Sequence, residues 1–103
     1  MSQGLLIYKE SIMAARPMSI QHANNNAGVD TNGEVISVNR GRGQYVAIVN
    51  TGATNSLEIS FNEGQDYFAI PPGGFLELDA LFNSIRVRSD AATTTYNALI
   101  GRG

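Results

Sequence analysis

The chain has no cysteine, no tryptophan, three prolines and one lysine, Lys9, among its 103 residues. Without cysteine there are no disulfides, no thiolate metal sites and no cysteine nucleophile. Positive charge is scarce: seven basic residues face nine acidic ones, for a formal net charge of −2, and no block of like charge stands out. Phosphate binding draws its affinity from several Lys or Arg on one face, so nucleic acid is not expected as a partner. Long hydrophobic runs are missing as well. Leu5 to Tyr8 is followed at once by Lys9 and Glu10, which fits neither a signal peptide nor the ~20 apolar residues of a membrane span. A soluble product with no membrane partner is expected, made in the cytoplasm and remaining there unless packaged.

What is present is strand chemistry. From Gln44 onward, short segments of strand composition alternate with turn-forming residues about every ten positions, the spacing of a sandwich or barrel. Tyr45-Val46-Ala47-Ile48-Val49 is a continuous, β-branched apolar run, which predicts a central strand covered on both faces. In Ser56 to Asn62, Leu57, Ile59 and Phe61 alternate with Glu58 and Ser60, giving a strand with one wet face. Tyr67 to Ile70 is a brief strand stopped by Pro71-Pro72-Gly73-Gly74, because proline has no ladder donor and glycine accepts positive φ. Phe75 to Asp79, Ser84 to Ser89 and Thr93 to Ile100 complete the series.

The first forty residues lack a firm period. Asp30-Thr31-Asn32-Gly33 is a turn and Glu34 to Val38 a strand; Ser11 to Ala15 is compatible with one helical turn, and Pro17 disfavours a helical Arg16. Residues 1–40 are therefore expected to form an N-terminal arm and irregular edge strands, and residues 41–103 the sandwich core. The apolar residues Leu5, Leu6, Ile7, Ile12, Met13 and Met18 need a cover that a neighbouring subunit would supply. Together with Tyr8 they are the expected partner-binding residues of the arm.

Catalytic candidates are few. His22, the lone histidine, lies in an amide-rich stretch with no carboxylate near it in sequence to orient its ring. Glu77 and Asp79 share a strand face, with Glu58 a possible third oxygen donor across the sheet; a solvated face is the plainer reading. Asp30 to Glu34 lacks the glycine and glutamate spacing of a calcium loop and reads as a hairpin turn. Arg40-Gly41-Arg42-Gly43 and Gly101-Arg102-Gly103 are single copies without interleaved aromatics, read as flexible connectors rather than RNA-binding segments. Arg86 and Arg88, alternating with Ile85 and Val87, are candidates for docking an acidic partner surface. Tyr8, Tyr45, Tyr67 and Tyr96 would suit a sugar-binding groove if they converged. No catalytic residue, cofactor or metal site is expected.

Val49-Asn50-Thr51-Gly52, Leu57-Glu58-Ile59-Ser60-Phe61, Phe68-Ala69-Ile70-Pro71-Pro72-Gly73-Gly74, Ile85-Arg86-Val87-Arg88-Ser89 and Thr93-Thr94-Thr95-Tyr96 follow one another in an order that resembles small virion proteins of tailed bacteriophages. The resemblance covers roughly residues 44–100. It implies a β-sandwich or jelly-roll-like module that acts as a capsid decoration (cement) protein, or as a minor tail or connector piece, and that binds rather than catalyses. It carries over no site residues.

The expectation is thus an all-β chain: a single small β-sandwich, jelly-roll-like, with an extended N-terminal arm. Its expected function is a non-enzymatic phage virion structural protein binding across major capsid protein seams, with a minor tail or head–tail joining protein, or a carbohydrate-binding host-attachment module, as alternatives. The expected partners are the major capsid protein or another virion protein and further copies of the chain, a trimer being favoured. Its place would be the virion, assembled in the host cytoplasm.

Overall fold

A computed structural model describes residues 19–103. They form eight strands: β1 (Ser19–Val29), β2 (Glu34–Ser37), β3 (Gly43–Asn50), β4 (Leu57–Ser60), β5 (Phe68–Ile70), β6 (Phe75–Phe82), β7 (Ser84–Ser89) and β8 (Thr94–Arg102). The strands build two four-stranded sheets, in the orders β1-β8-β3-β6 and β2-β7-β4-β5. Every pairing is antiparallel. These two orders are those of an eight-stranded jelly roll. The all-β sandwich read from the sequence is the observed fold.

Alternation fixes which side of each strand is buried. Val46 and Ile48 of β3, Leu57 and Ile59 of β4, Ile85 and Val87 of β7, and Tyr96, Ala98 and Ile100 of β8 meet between the sheets with Val29, Ile36, Ile70 and Phe82. Phe82 packs edge-on against Phe61, ring centroids 5.7 Å apart. β3 is central, between β8 and β6. Only one of its faces is covered by described residues: Tyr45, Ala47 and Val49 on the other stay partly exposed.

Residues 19–40 belong to the sandwich, supplying one edge strand to each sheet. Their missing period has a physical cause. Gln21 and Asn25 hydrogen-bond towards β2 and its flank, so these strands are joined partly by polar side chains. Gln21 donates to Ser37 O (2.8 Å) and accepts from Asn39 N (2.9 Å), and Asn25 donates to Glu34 (3.0 Å). Asn25 Oδ1 also accepts from the amides of Ala27 and Gly28, where the β1–β8 register shifts.

Of the two segments read as flexible connectors, Gly101-Arg102-Gly103 is largely strand, and Arg40 to Arg42 connect β2 to β3. Gly101 and Arg102 are part of β8, and Gly103 N donates to Arg42 O (3.0 Å). Gly43 opens β3, and a Cβ there would lie 2.3 Å from the Phe82 ring. Glycine is required at that position because the ring lies against the backbone.

Tyr96 is buried, and its hydroxyl donates to Glu34 across the sandwich. Burial first, and the Glu34 contact second, hold its phenol well above the ordinary value of 10.0. Above that value the unfolded phenol ionises while the folded one stays neutral, so stability is fully present below about pH 10 and declines as pH rises further. Urea titrations between about pH 9 and about pH 11 should show a falling stability, with Tyr96 contributing at most about 1.4 kcal/mol per pH unit. Tyr96→Phe should flatten that slope while costing about 1 kcal/mol at neutral pH; an unchanged slope would contradict this assignment.

Candidate interaction surface

Gln21 and Asn25 reach from β1 to β2 and its flank, so β1 and β2 share one lateral side of the sandwich, and β6 and β5, the last strands of the two sheet orders, share the other. The exposed large hydrophobics among the described residues follow this division. Phe75 (72% exposed), Leu81 (64%), Phe68 (60%) and Leu78 belong to β5 and β6, and Ile20 and Val35 to β1 and β2. Scattered exposed apolar residues need no explanation, but large ones gathered along two opposite sides are candidates for association surfaces.

The outer face of the β1-β8-β3-β6 sheet connects these sides. Pairing aligns Asn24, Asn97, Val49 and Phe75 in one row, His22, Leu99, Ala47 and Glu77 in the next, and Ile20, Gly101, Tyr45 and Asp79 in a third. A shallow hollow of about 260 Å³ opens among His22, Ala47, Val49, Phe75, Asn97 and Leu99. Beside it, Tyr45 donates to Glu77, and this contact raises the Tyr45 phenol above its ordinary value.

The other outer face is mostly polar, with Val35 level with Arg86 at its β2 edge. Arg88, on β7, donates to Glu58 of β4 (2.6 Å), and its guanidinium lies 3.6 Å from the Tyr67 ring centroid. The contact with Glu58 holds its pKa above the ordinary arginine value. Of the two arginines predicted to dock a partner, Arg88 is therefore engaged within the chain, whereas Arg86 is exposed on the same face. Leu5, Leu6, Ile7, Tyr8, Ile12, Met13 and Met18 lie outside the described residues.

Comparison with protein-family models, with curated proteins and with solved structures finds no match.

The remaining sequence candidates fall in separate places. Glu77 and Asp79 face outward from one sheet and Glu58 from the other, so the suggested three-carboxylate group does not form. Among the described residues no three His, Asp or Glu side chains come together as a metal site. Tyr45 and Tyr67 lie on opposite faces and Tyr96 is in the core, so these three do not line one groove. Asp30 accepts from the amides of Asn32 (2.9 Å) and Gly33 (3.3 Å) in a turn, as expected, but the turn leads from β1 of one sheet to β2 of the other and is not the hairpin read from the sequence.

Sequence reasoning missed Phe68, Phe75, Leu78 and Leu81. Part of the signal was there: Phe75 shares the parity of Glu77 and Asp79, which places a large apolar group on a face read as solvated.

Proposed function

We propose that the chain is a non-enzymatic structural protein of a virus particle, a capsid decoration (cement) protein that stabilises the shell by binding across seams between major capsid subunits. The observation that carries this reading is the gathering of exposed large hydrophobics along the two lateral sides of a small jelly roll. Such a module contributes by burying area. At ~25 cal/mol per Å² of apolar surface, a contact of a few hundred Å² contributes several kcal/mol before association costs, and a shell repeats it many times.

The resemblance of residues 44–100 to small virion proteins of tailed phages supplies the setting. Three of the resembling motifs, Val49 to Gly52, Phe68 to Gly74 and Thr93 to Tyr96, are joined by backbone hydrogen bonds. Asn50 N donates to Gly74 O (2.9 Å), Gly73 N to Asn50 O (2.9 Å), and Thr51 N to Thr95 O (2.9 Å). They form the fold, which leaves partner choice to the sides and to the apolar N-terminal segment. A fold alone does not specify a job; attachment to the shell is assigned to Leu5, Leu6, Ile7, Tyr8, Ile12, Met13 and Met18, the apolar residues of the N-terminal sequence.

Quantitative mass spectrometry of purified particles from cultures that produce the chain tests the reading. Copies on the order of one per major capsid protein are expected. A handful per particle would transfer the chain to the tail or connector, and complete absence would discard the particle role.

A further inference from the structure

We infer that copies of this chain associate head to tail, the β6 edge of one sandwich pairing with the β1 edge of the next. The inference concerns self-association and stands whether or not the chain works in a virus particle.

The edges of the two sheets differ. In the β2-β7-β4-β5 sheet the edge strands have four and three residues, the short edges by which sandwiches avoid unwanted pairing. In the β1-β8-β3-β6 sheet they have eleven and eight residues. Both are free of proline, and each pairs on one side only among the described strands. Their free sides present rows of backbone donors and acceptors, flanked by Ile20 and Val35 on one side of the sandwich and by Phe68, Phe75, Leu78 and Leu81 on the other.

Charge disfavours one way of joining them, β6 to β6. Two β6 strands related by a two-fold axis would meet antiparallel, with residues of like parity opposite each other. Each central register then places carboxylates together: Glu77 against Asp79 when Leu78 is on the axis, or Glu77 or Asp79 against itself. Like charges directly opposite are destabilising. The β1 edge avoids this problem. Its outward residues are Ile20, His22 and Asn24, with no carboxylate, and His22 lies in the same row as Glu77.

Direction agrees with charge. The strands alternate along β1-β8-β3-β6, so β6 runs opposite to β1. Copies related by rotation about an axis along the strands keep that relation, and the antiparallel sheet continues from one copy to the next. In that arrangement His22 of one copy comes level with Glu77 of its neighbour, or with Asp79 after a two-residue stagger, and Ile20 comes beside Asp79 or Leu81. Such a contact is heterologous, and a closed ring needs three or more copies.

The test is the mass of the full chain in solution, by light scattering coupled to size-exclusion chromatography at tens of micromolar. A mass of at least three times 11.0 kDa is expected. Phe75→Asp with Leu81→Asp should disable the β6 edge, and Ile20→Asp the β1 edge, each weakening association by about 100-fold or more. Circular dichroism melts confirm that the variants stay folded. An equimolar mixture of the two variants should form a one-to-one dimer, because each supplies the edge the other lacks. His22→Glu should weaken association, and Glu77→Lys in the level register, or Asp79→Lys in the staggered one, should restore it. A monomeric wild type, an Ile20→Asp variant that still assembles, or a mixture that stays monomeric would each overturn the inference.

Discussion

Replacing Asn50 by Ala should destabilise the sandwich by about 3 kcal/mol, although only a small polar side chain is removed. Asn50 is fully buried, and each of its hydrogen-bonding positions is used. Nδ2 donates to Asn55 O (2.9 Å) and Ile70 O (3.0 Å), while Oδ1 accepts from Gly52 N (3.0 Å) and Thr94 Oγ1 (2.7 Å). One side chain thus joins the end of β3 to the following loop, to β5 in the opposite sheet and to β8. The alanine variant leaves buried donors and acceptors without partners, at roughly 1–3 kcal/mol each before relaxation. Asn50→Asp should be worse near neutral pH, by about 4 kcal/mol or more, because a carboxylate oxygen would then face two carbonyl oxygens in the interior. Part of that loss should return in acid, where the protonated carboxyl donates once. Urea unfolding of the three proteins measures the order; a loss below about 1 kcal/mol for either variant would show that the network is dispensable.

That network illustrates how far the sequence could be read. Asn50-Thr51-Gly52 is legible as a turn because those residues tolerate turn backbone. Its role as a hub is not, since its partners are at positions 55, 70 and 94 and only the jelly-roll crossings bring them together. β3, β4 and β7 were legible for the opposite reason: Val46 and Ile48, Leu57 and Ile59, and Ile85 and Val87 carry the period-two pattern within a few residues. β1 escaped because Gln21 and Asn25 use amides where the pattern calls for apolar groups, with partners around β2 that the local sequence does not reveal.

The candidate surface was read in part for a similar reason. Leu5 to Met18 are conspicuous as an apolar segment without a regular pattern. Phe75 opens the alternating segment Phe75 to Asp79 and Leu81 lies beyond it in the same strand; both are exposed because an edge strand of a sandwich exposes both a face and a flank. Gly43 was read as part of a loose connector, since the Phe82 ring that lies against it is far along the chain.

Exchanging Leu6 and Ile7 for Asp should abolish attachment to the shell without unfolding the sandwich. Among the described residues, the core between the two sheets is built from Ala23 onward, and circular dichroism melts of the variant check that the sandwich stays folded. Each apolar side chain buried at an interface is worth about 1.5–3 kcal/mol, and an aspartate in its place adds a desolvation penalty. Together they should weaken binding by about 100-fold or more. The control is Arg88→Ala, which breaks the Glu58 contact and the Tyr67 stack on a mostly polar face assigned no role in attachment.

The measurement that tests the proposed attachment most directly is cosedimentation of the purified full chain with particles assembled without it. Wild type and Arg88→Ala should saturate the particles at a fixed ratio to the major capsid protein, and the Leu6→Asp, Ile7→Asp variant should remain in the supernatant. Saturation by that variant equal to wild type would contradict the account, as would failure of wild type to bind.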